Sequence, residues 1–333
     1  MNCASELGSC MRNTGELIAD TYALGAGDWT MTPVARGALG QIWKLSGNGT
    51  AWAVKELLFE KDEPDVGAES ALRDAAETLG ISAPRLLPDR TGAHAVRLPE
   101  GSYVKLYDWV DGTAADPSDP ATLSWCGRTL AILHKAGEGT SGTPSGWYER
   151  CNPESDWAEL LGKVERAGLP WAGELGRFVA TTAVELARHV SPSSPGDVVT
   201  SHLDMRPQNV LVGPDGPVLL DWDNAGPVSA ERELARAVHV WSGGNRFDAD
   251  AARRLVRAYR DAGGRAVIKN LDAFSMLFAT DLNYVYVQAD CAVDPARPAE
   301  QRAFGSREAV AKLRGLPDLS AISRLVEALE AEW

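Results

Sequence analysis

The chain has 333 residues and a mass of 35.7 kDa, enough for about two domains with a sizeable apolar core. Apolar residues make up 44% and charged residues 24%, which excludes collagen-like, coiled-coil and disordered classes. Asp and Glu number 46 against 33 Lys and Arg, and the net charge of -13 repels a nucleic-acid backbone or an anionic membrane leaflet, so neither is expected as a partner.

In chain order, residues 29–58 read as three antiparallel strands after an N-terminal extension of about 1–28. WTMTPVA, QIWKLS and AWAVKELLF are short β-branched and aromatic runs, and the last two are joined by the turn GNGT. Along the third run, period two sends Trp52 and Val54 to one face and Ala53 and Lys55 to the other. Residues 64–79 carry apolar side chains at helical spacing and stop at Gly80. AHAVRL and SYVKLYDWV are extended runs, and the turn-rich DGTAADPSDPA places a lobe boundary near Asp111. Helices are expected at 119–136, 154–167 and 171–190. Three short strands follow in DVVTSHLD, NVLVGPDG and PVLLDWD, and helical periodicity resumes from Ser229. The plan is a strand-rich lobe over 1–110 and a mainly helical lobe over 111–333 with a small strand insert.

Five cysteines (Cys3, Cys10, Cys126, Cys151, Cys291) lack CxxC spacing and fit neither a disulfide framework nor a zinc site. A signal-peptide pattern and an apolar run of about 18 residues are both missing, so a cytoplasmic protein is expected. Oligomeric state has no marker in the sequence. The acidity is uneven: residues 111–228 hold 8 basic and 16 acidic side chains, a net of -8, whereas 229–333 hold 15 of each.

The chemistry-bearing motif lies in the insert. His202, Asp204 and Asn209 stand in HLDMRPQN, and Asp221-Trp222-Asp223 ends the next apolar strand. This spacing is that of a kinase catalytic loop (202–209) and metal segment (221–223). Phosphoryl transfer needs a carboxylate beside the incoming hydroxyl, which suits Asp204, and hard oxygen ligands for Mg²⁺ against a triphosphate, which suits Asn209 and Asp221. His202 has no reacting partner in such a scheme and is read as a structural anchor of the loop. In the first lobe, Gly37 and Gly40 sit between two strands where backbone can approach phosphates, or simply form a hairpin turn. Lys55 in AWAVK stands in the strand context of a phosphate-binding lysine.

With these residues, the chain resembles the aminoglycoside phosphotransferase family, the small-molecule branch of the protein-kinase-like fold. The likeness rests on HLDMRPQN, the D-W-D segment, AWAVKELLF and the LAILH run at Leu130–His134. It implies an α+β, two-lobed fold, with an antiparallel-sheet N-lobe carrying one main helix and a mostly helical C-lobe. It further implies ATP and Mg²⁺ as cofactors. Asp204 would be the catalytic base or hydroxyl-orienting residue, Asn209 and Asp221 the metal ligands, and Lys55 the phosphate contact. Adenine would lie against the backbone of Tyr107, Asp108, Trp109 and Val110. Glu69, ahead of its rivals Asp74 and Glu77, would pair with Lys55. Departures are Ala35 at the first glycine of a protein-kinase phosphate loop, no A-P-E segment after Asp221, and Leu203 and Gln208 where glycine is usual. At both of the last two positions the loop is expected to avoid positive φ. Ser229 is expected to cap the next helix.

The acceptor is expected to be a small, cationic molecule drawn by the acidic middle segment, with Asp156, Glu159, Asp223 and Glu231 as candidate binding carboxylates. An aminoglycoside-like antibiotic or amino sugar leads. Choline or another amino alcohol, a sugar, a macrolide, or a peptide Ser/Thr remain as alternatives, with a non-catalytic nucleotide-binding relative last. Trp147, Trp157, Trp171, Trp222 and Trp241 suit either ligand stacking or core filling.

Overall fold

A computed structural model describes residues 14–36, 40–57, 63–99, 101–139 and 142–333. The chain divides into two compact units, Met1–Ala115 with Gln208–Ala225, and Asp116–Pro207 with Gly226–Trp333. The sequence placed the divide near Asp111 and the whole insert in the second lobe. Segment 208–225 groups with the first unit because its strand β9 (Val210–Gly213) pairs with β7 (Thr113–Ala114), and because the Leu219 N–H donates to the Ser82 carbonyl at 2.8 Å.

In the first unit, β1 (Thr30–Arg36), β2 (Gly40–Gly47), β3 (Thr50–Leu57), β4 (Leu86–Leu87), β5 (Val96–Arg97) and β6 (Tyr103–Asp108) form an antiparallel sheet. Its order is β1-β2-β3-β6-β4, with β5 also on β6. The β2–β3 turn holds Asn48 at φ 51° and Gly49 at φ 73°, the positive-φ pair whose twist matches a two-residue hairpin. Val54 and its cross-strand partner Leu106 are fully buried, in a core with Trp29, Leu45 and Val104. Strand alternation therefore turns Lys55 and its partner Lys105 to the opposite face. Helix α1 (Glu63–Thr78) follows β3 and is closed by Gly80 at φ 83°, close to the expected span. Strand β10 (Gly216–Leu219) completes a small sheet in the order β10-β9-β7.

The second unit contains α2 (Pro120–Ala136), α3 (Gly146–Glu149), α4 (Glu154–Arg166), α5 (Ala172–Ala180), α6 (Thr182–Ala187), β8 (Val198–Ser201) and β11 (Gly226–Ser229). It continues through α7 (Ala230–Ser242), α8 (Ala249–Asp261), α9 (Ser275–Val293), α10 (Ala299–Arg314) and α11 (Leu319–Leu329). Asp119 caps α2 by accepting from the Thr122 N–H at 2.9 Å. The helix expected over 171–190 is broken at Thr181, whose hydroxyl bonds back to the Arg177 carbonyl at 2.8 Å and whose backbone leaves helical geometry. Ser229 holds the N-cap position of α7 but makes no side-chain cap bond, because it is also the last, buried residue of β11, paired with Val198. Trp157, Trp171 and Trp241 are buried in this unit and Trp222 in the first, which is the core-filling role. Among the described residues no helix is long and apolar enough to cross a membrane.

Candidate active site

In the first unit the Lys55 ammonium lies 2.6 Å from Asp221 Oδ1 and 2.7 Å from Asp223 Oδ2. Burial alone would lower its pKa, but Asp223 and Asp221 outweigh burial and raise it, so the group is cationic at every ordinary pH. Lys105, directly across from Lys55, is fully buried, with Nζ 2.7 Å from Glu69 Oε2 and 3.0 Å from Asp223 Oδ1. An isolated ammonium at such a depth costs about several kcal/mol, and the two carboxylates offset that cost. The Tyr107 hydroxyl donates to Asp223 Oδ1 at 3.3 Å. Burial first, then the carboxylates Asp223, Glu69 and Asp221, raise its pKa well above the usual value and keep it a donor.

The β9–β10 hairpin returns the chain so that both aspartates reach these lysines. Asp221 takes the left-handed conformation at φ 60°, which Asp tolerates better than most residues, and a short 3₁₀ turn (Trp222–Asn224) then points Asp223 back to the sheet. The Leu220 N–H donates to the Asn209 carbonyl at 2.8 Å, which ties the backbone beside Asp221 to the buried Asn209.

In the second unit the loop after β8 is fixed by buried charges. Leu203 has φ 65°, a conformation that costs a non-glycine residue about 1–2 kcal/mol. Its N–H donates to Glu233 Oε1 at 2.6 Å and its carbonyl accepts from the Arg236 guanidinium. Hydrogen bonds to charged groups contribute about 1.5–3 kcal/mol each, enough to hold that geometry. Leucine thus occupies the positive-φ position that glycine usually fills, contrary to the expectation from sequence. Gln208, in the 3₁₀ turn Pro207–Asn209, has no positive φ.

Arg236 Nη2 also lies 2.8 Å from Asp204 Oδ1, and Arg206 Nε lies 3.2 Å from Oδ2. Burial would raise the Asp204 pKa, but Arg236 and Arg206 outweigh burial and hold it below the usual carboxylate value. The Asp204 N–H donates to His202 Nδ1 at 3.2 Å, and Trp241 Nε1 donates to the Met205 carbonyl at 3.1 Å. Glu233 is anchored in turn: His134 Nε2 lies 2.8 Å from its Oε2, while His134 Nδ1 meets the Tyr259 hydroxyl at 2.9 Å. Helices α2, α7 and α8 therefore share in positioning one loop.

A profile of the phosphotransferase enzyme family (APH) matches residues 30–271. The chain belongs to that family. No curated protein matches this phosphotransferase by sequence. Its fold is similar to that of a spectinomycin phosphotransferase solved with ADP and spectinomycin, at 15% identity and TM-score 0.62, over 96% of this chain and 98% of that one. An amicoumacin kinase solved with AMP-PNP, Ca²⁺ and Ami is 12% identical, with TM-score 0.58 over 95% and 97% of the two chains. A microcompartment-associated aminopropanol kinase is 13% identical, with TM-score 0.57 over 90% and 95%. The phosphotransferase is a small-molecule kinase of protein-kinase-like fold.

Within the phosphotransferase, Lys55 and Asp221 come together in the first unit as the motifs imply, whereas two other expectations change. Glu69, expected opposite Lys55, has its carboxylate on Lys105, because the lysine on β6 stands across from Lys55 on the same sheet face. Asp223, expected on a substrate-binding wall, is buried between Lys55 and Lys105, since two ammonium groups draw it inward. Gly37 lies outside the described residues. Gly40 is required by the sheet itself: a Cβ there would stand 2.1 Å from the Glu56 carbonyl.

Of the adenine-binding candidates, Asp108 takes Arg85 in a bidentate pair at 2.8 and 3.2 Å, and Trp109 donates to Asp111 at 2.8 Å with the Lys44 ammonium 4.2 Å over its ring. Val110 lines a surface cavity of about 330 Å³ with Asp108, Ile81 and Val218. On α4, Asp156 is half-buried and Glu159 is exposed and paired with Lys163 at 3.2 Å. Glu231 is half-buried, and burial raises its pKa.

Sequence reasoning missed Lys105, Glu233 and Arg236, and quoted His134 in the LAILH run without a role for it. For Lys105 the signal was a lysine between the buried Val104 and Leu106 in YVKLYD. Glu233 and Arg236 stand three apart on one helix, a spacing that puts both on the face toward the loop.

Proposed function

We propose that the phosphotransferase moves the γ-phosphate of ATP to a hydroxyl of a small amine-bearing molecule, foremost an aminoglycoside-like antibiotic or amino sugar. The observation that carries this reading is the meeting of Lys55 with Asp221 at 2.6 Å, beside the backbone-tethered Asn209. Asn209 and Asp221 would hold Mg²⁺. Their donors are hard oxygens, and the Asp221 side chain, 32% exposed, remains reachable. When bound, the ion neutralises charge on the transferred phosphoryl group. With Asp221 engaged by the ion, Lys55 would keep Asp223 as a fixed partner and hold its ammonium for phosphate oxygens.

Asp204 takes the acceptor hydroxyl. Two arginines keep this carboxylate ionised, so its part is to orient the hydroxyl and receive its proton late, when the nucleophile has become acidic. His202 acts on the loop through the Asp204 N–H. An amine on the acceptor suits the net charge of -8 over residues 111–228. A plain amino alcohol is the second reading, favoured by the aminopropanol kinase among the structural neighbours.

The test is a coupled ADP-release screen with Mg-ATP over aminoglycosides, other antibiotics, amino alcohols and short Ser/Thr peptides. Release that depends on an amine-bearing acceptor, and is abolished in Asp204→Ala with Mg-ATP binding retained, is the expected result. Release independent of every acceptor, or unchanged turnover in that variant, overturns the reading.

A further inference from the structure

We propose that Lys105 is a positioning residue for Lys55, acting through a buried chain of alternating charge, Glu69–Lys105–Asp223–Lys55. This deepens the nucleotide-site reading above and rests on it. The links are 2.7 Å from Glu69 Oε2 to Lys105 Nζ, 3.0 Å from Lys105 Nζ to Asp223 Oδ1, and 2.7 Å from Asp223 Oδ2 to Lys55 Nζ. Asp223 uses one oxygen for each lysine, so its carboxylate plane is set by both. Lys105 is the fully buried member and has no route to a ligand of its own, which separates its role from that of Lys55. Cross-strand register fixes the two lysines side by side on β3 and β6, so a shift of Asp223 toward one is a shift away from the other.

The charges explain why the second lysine is there. With Asp221 included, the cluster holds three carboxylates and two ammonium groups. Were Asp221 engaged by a metal, the remaining four groups would alternate in sign and sum to zero. The pair Glu69–Lys105 then serves as the fixed end of the chain, and Asp223 as the arm that holds Lys55 after its other partner has left. Removing Glu69 alone leaves Lys105 to pull Asp223 toward itself and loosens Lys55. Removing both charges of the Glu69–Lys105 pair ends the competition for Asp223 between two ammonium groups, leaves the Tyr107 hydroxyl in place on Oδ1, and restores the hold on Lys55.

The experiment compares the wild type with Glu69→Gln, Lys105→Met and the double variant. Affinity for Mg-ATP is measured by calorimetry, and the acylation rate of Lys55 by mass spectrometry without nucleotide, with thermal melts alongside. Glu69→Gln is expected to weaken Mg-ATP binding about tenfold, the loss of roughly one charge-assisted contact, and the double variant to return within about threefold of wild type. Lys55 acylation is expected to quicken in Glu69→Gln and to fall back in the double variant. A double variant as weak as Glu69→Gln means that Glu69 acts on Lys55 without Lys105, and overturns the inference. Melts that move while affinity and acylation stay constant assign the pair a purely structural role and overturn it too. If the wild type binds no adenine nucleotide, the functional reading fails separately. The acylation rates then decide alone, and equal Lys55 rates across the four proteins refute the positioning role.

Discussion

Leu203 offers a sharp test of how buried charges hold the loop after β8. The side chain is 2% exposed, so truncation to alanine costs about 2–5 kcal/mol in lost burial and cavity formation. At an ordinary backbone position glycine costs a further 0.5–1 kcal/mol or so relative to alanine, because it loses more freedom on folding. At φ 65° alanine keeps the Cβ clash, worth about 1–2 kcal/mol, and glycine has none. At the middle of the two ranges the difference favours glycine by roughly 0.75 kcal/mol, with bounds of about 0–1.5 kcal/mol, an inversion of the usual order. Urea unfolding of Leu203→Gly and Leu203→Ala, analysed with a shared slope, reads that difference directly. An alanine variant as stable as the glycine variant, or more so, would refute the claim that the Glu233 and Arg236 bonds hold Leu203 in a strained conformation.

Three further outcomes are expected. Asp221→Ala removes the proposed metal carboxylate, so nucleotide titrations with and without Mg²⁺ should coincide in the variant and differ in the native protein; equal affinities with and without metal in the native protein count against the assignment. Arg236→Met removes the larger of the two arginine influences that oppose burial at Asp204, and the acid limb of kcat/KM should move to higher pH, whereas an unmoved limb rejects Arg236 as the group that keeps Asp204 ionised. The Asp204 pKa is depressed on folding from an ordinary value of 3.8. The stability gained from its arginine pairs is therefore present above pH 3.8 and lost as pH falls through the lower native value, a loss that acid unfolding should show diminished in Arg236→Met.

The sequence alone determined the phosphotransferase class and the fold class. HLDMRPQN, D-W-D and AWAVK each need particular atoms at particular separations along the chain, and such local patterns survive in the order of residues. The larger elements were legible for a related reason: period two in β3 and helical spacing in α1, α2 and α4 are local properties. Short pieces such as β4, β7, β11 and α3 were not, since two to four residues carry no period; β8, β9 and β10, equally short, were legible from β-branched and apolar runs flanked by turn residues.

Only the tertiary structure decided which charges meet. Glu69 and Lys105 lie 36 residues apart, and Lys105 and Asp223 lie 118 apart, so no spacing rule joins them. The outcome depended on strand register, which set Lys105 beside Lys55 and thereby claimed both Glu69 and Asp223. The same holds for Leu203: a residue type that ordinarily argues against positive φ adopts it, because Glu233 and Arg236, far along the chain on α7, bind the two ends of its backbone. Local preference is worth about 1–2 kcal/mol here, and two long-range bonds to buried charges exceed it.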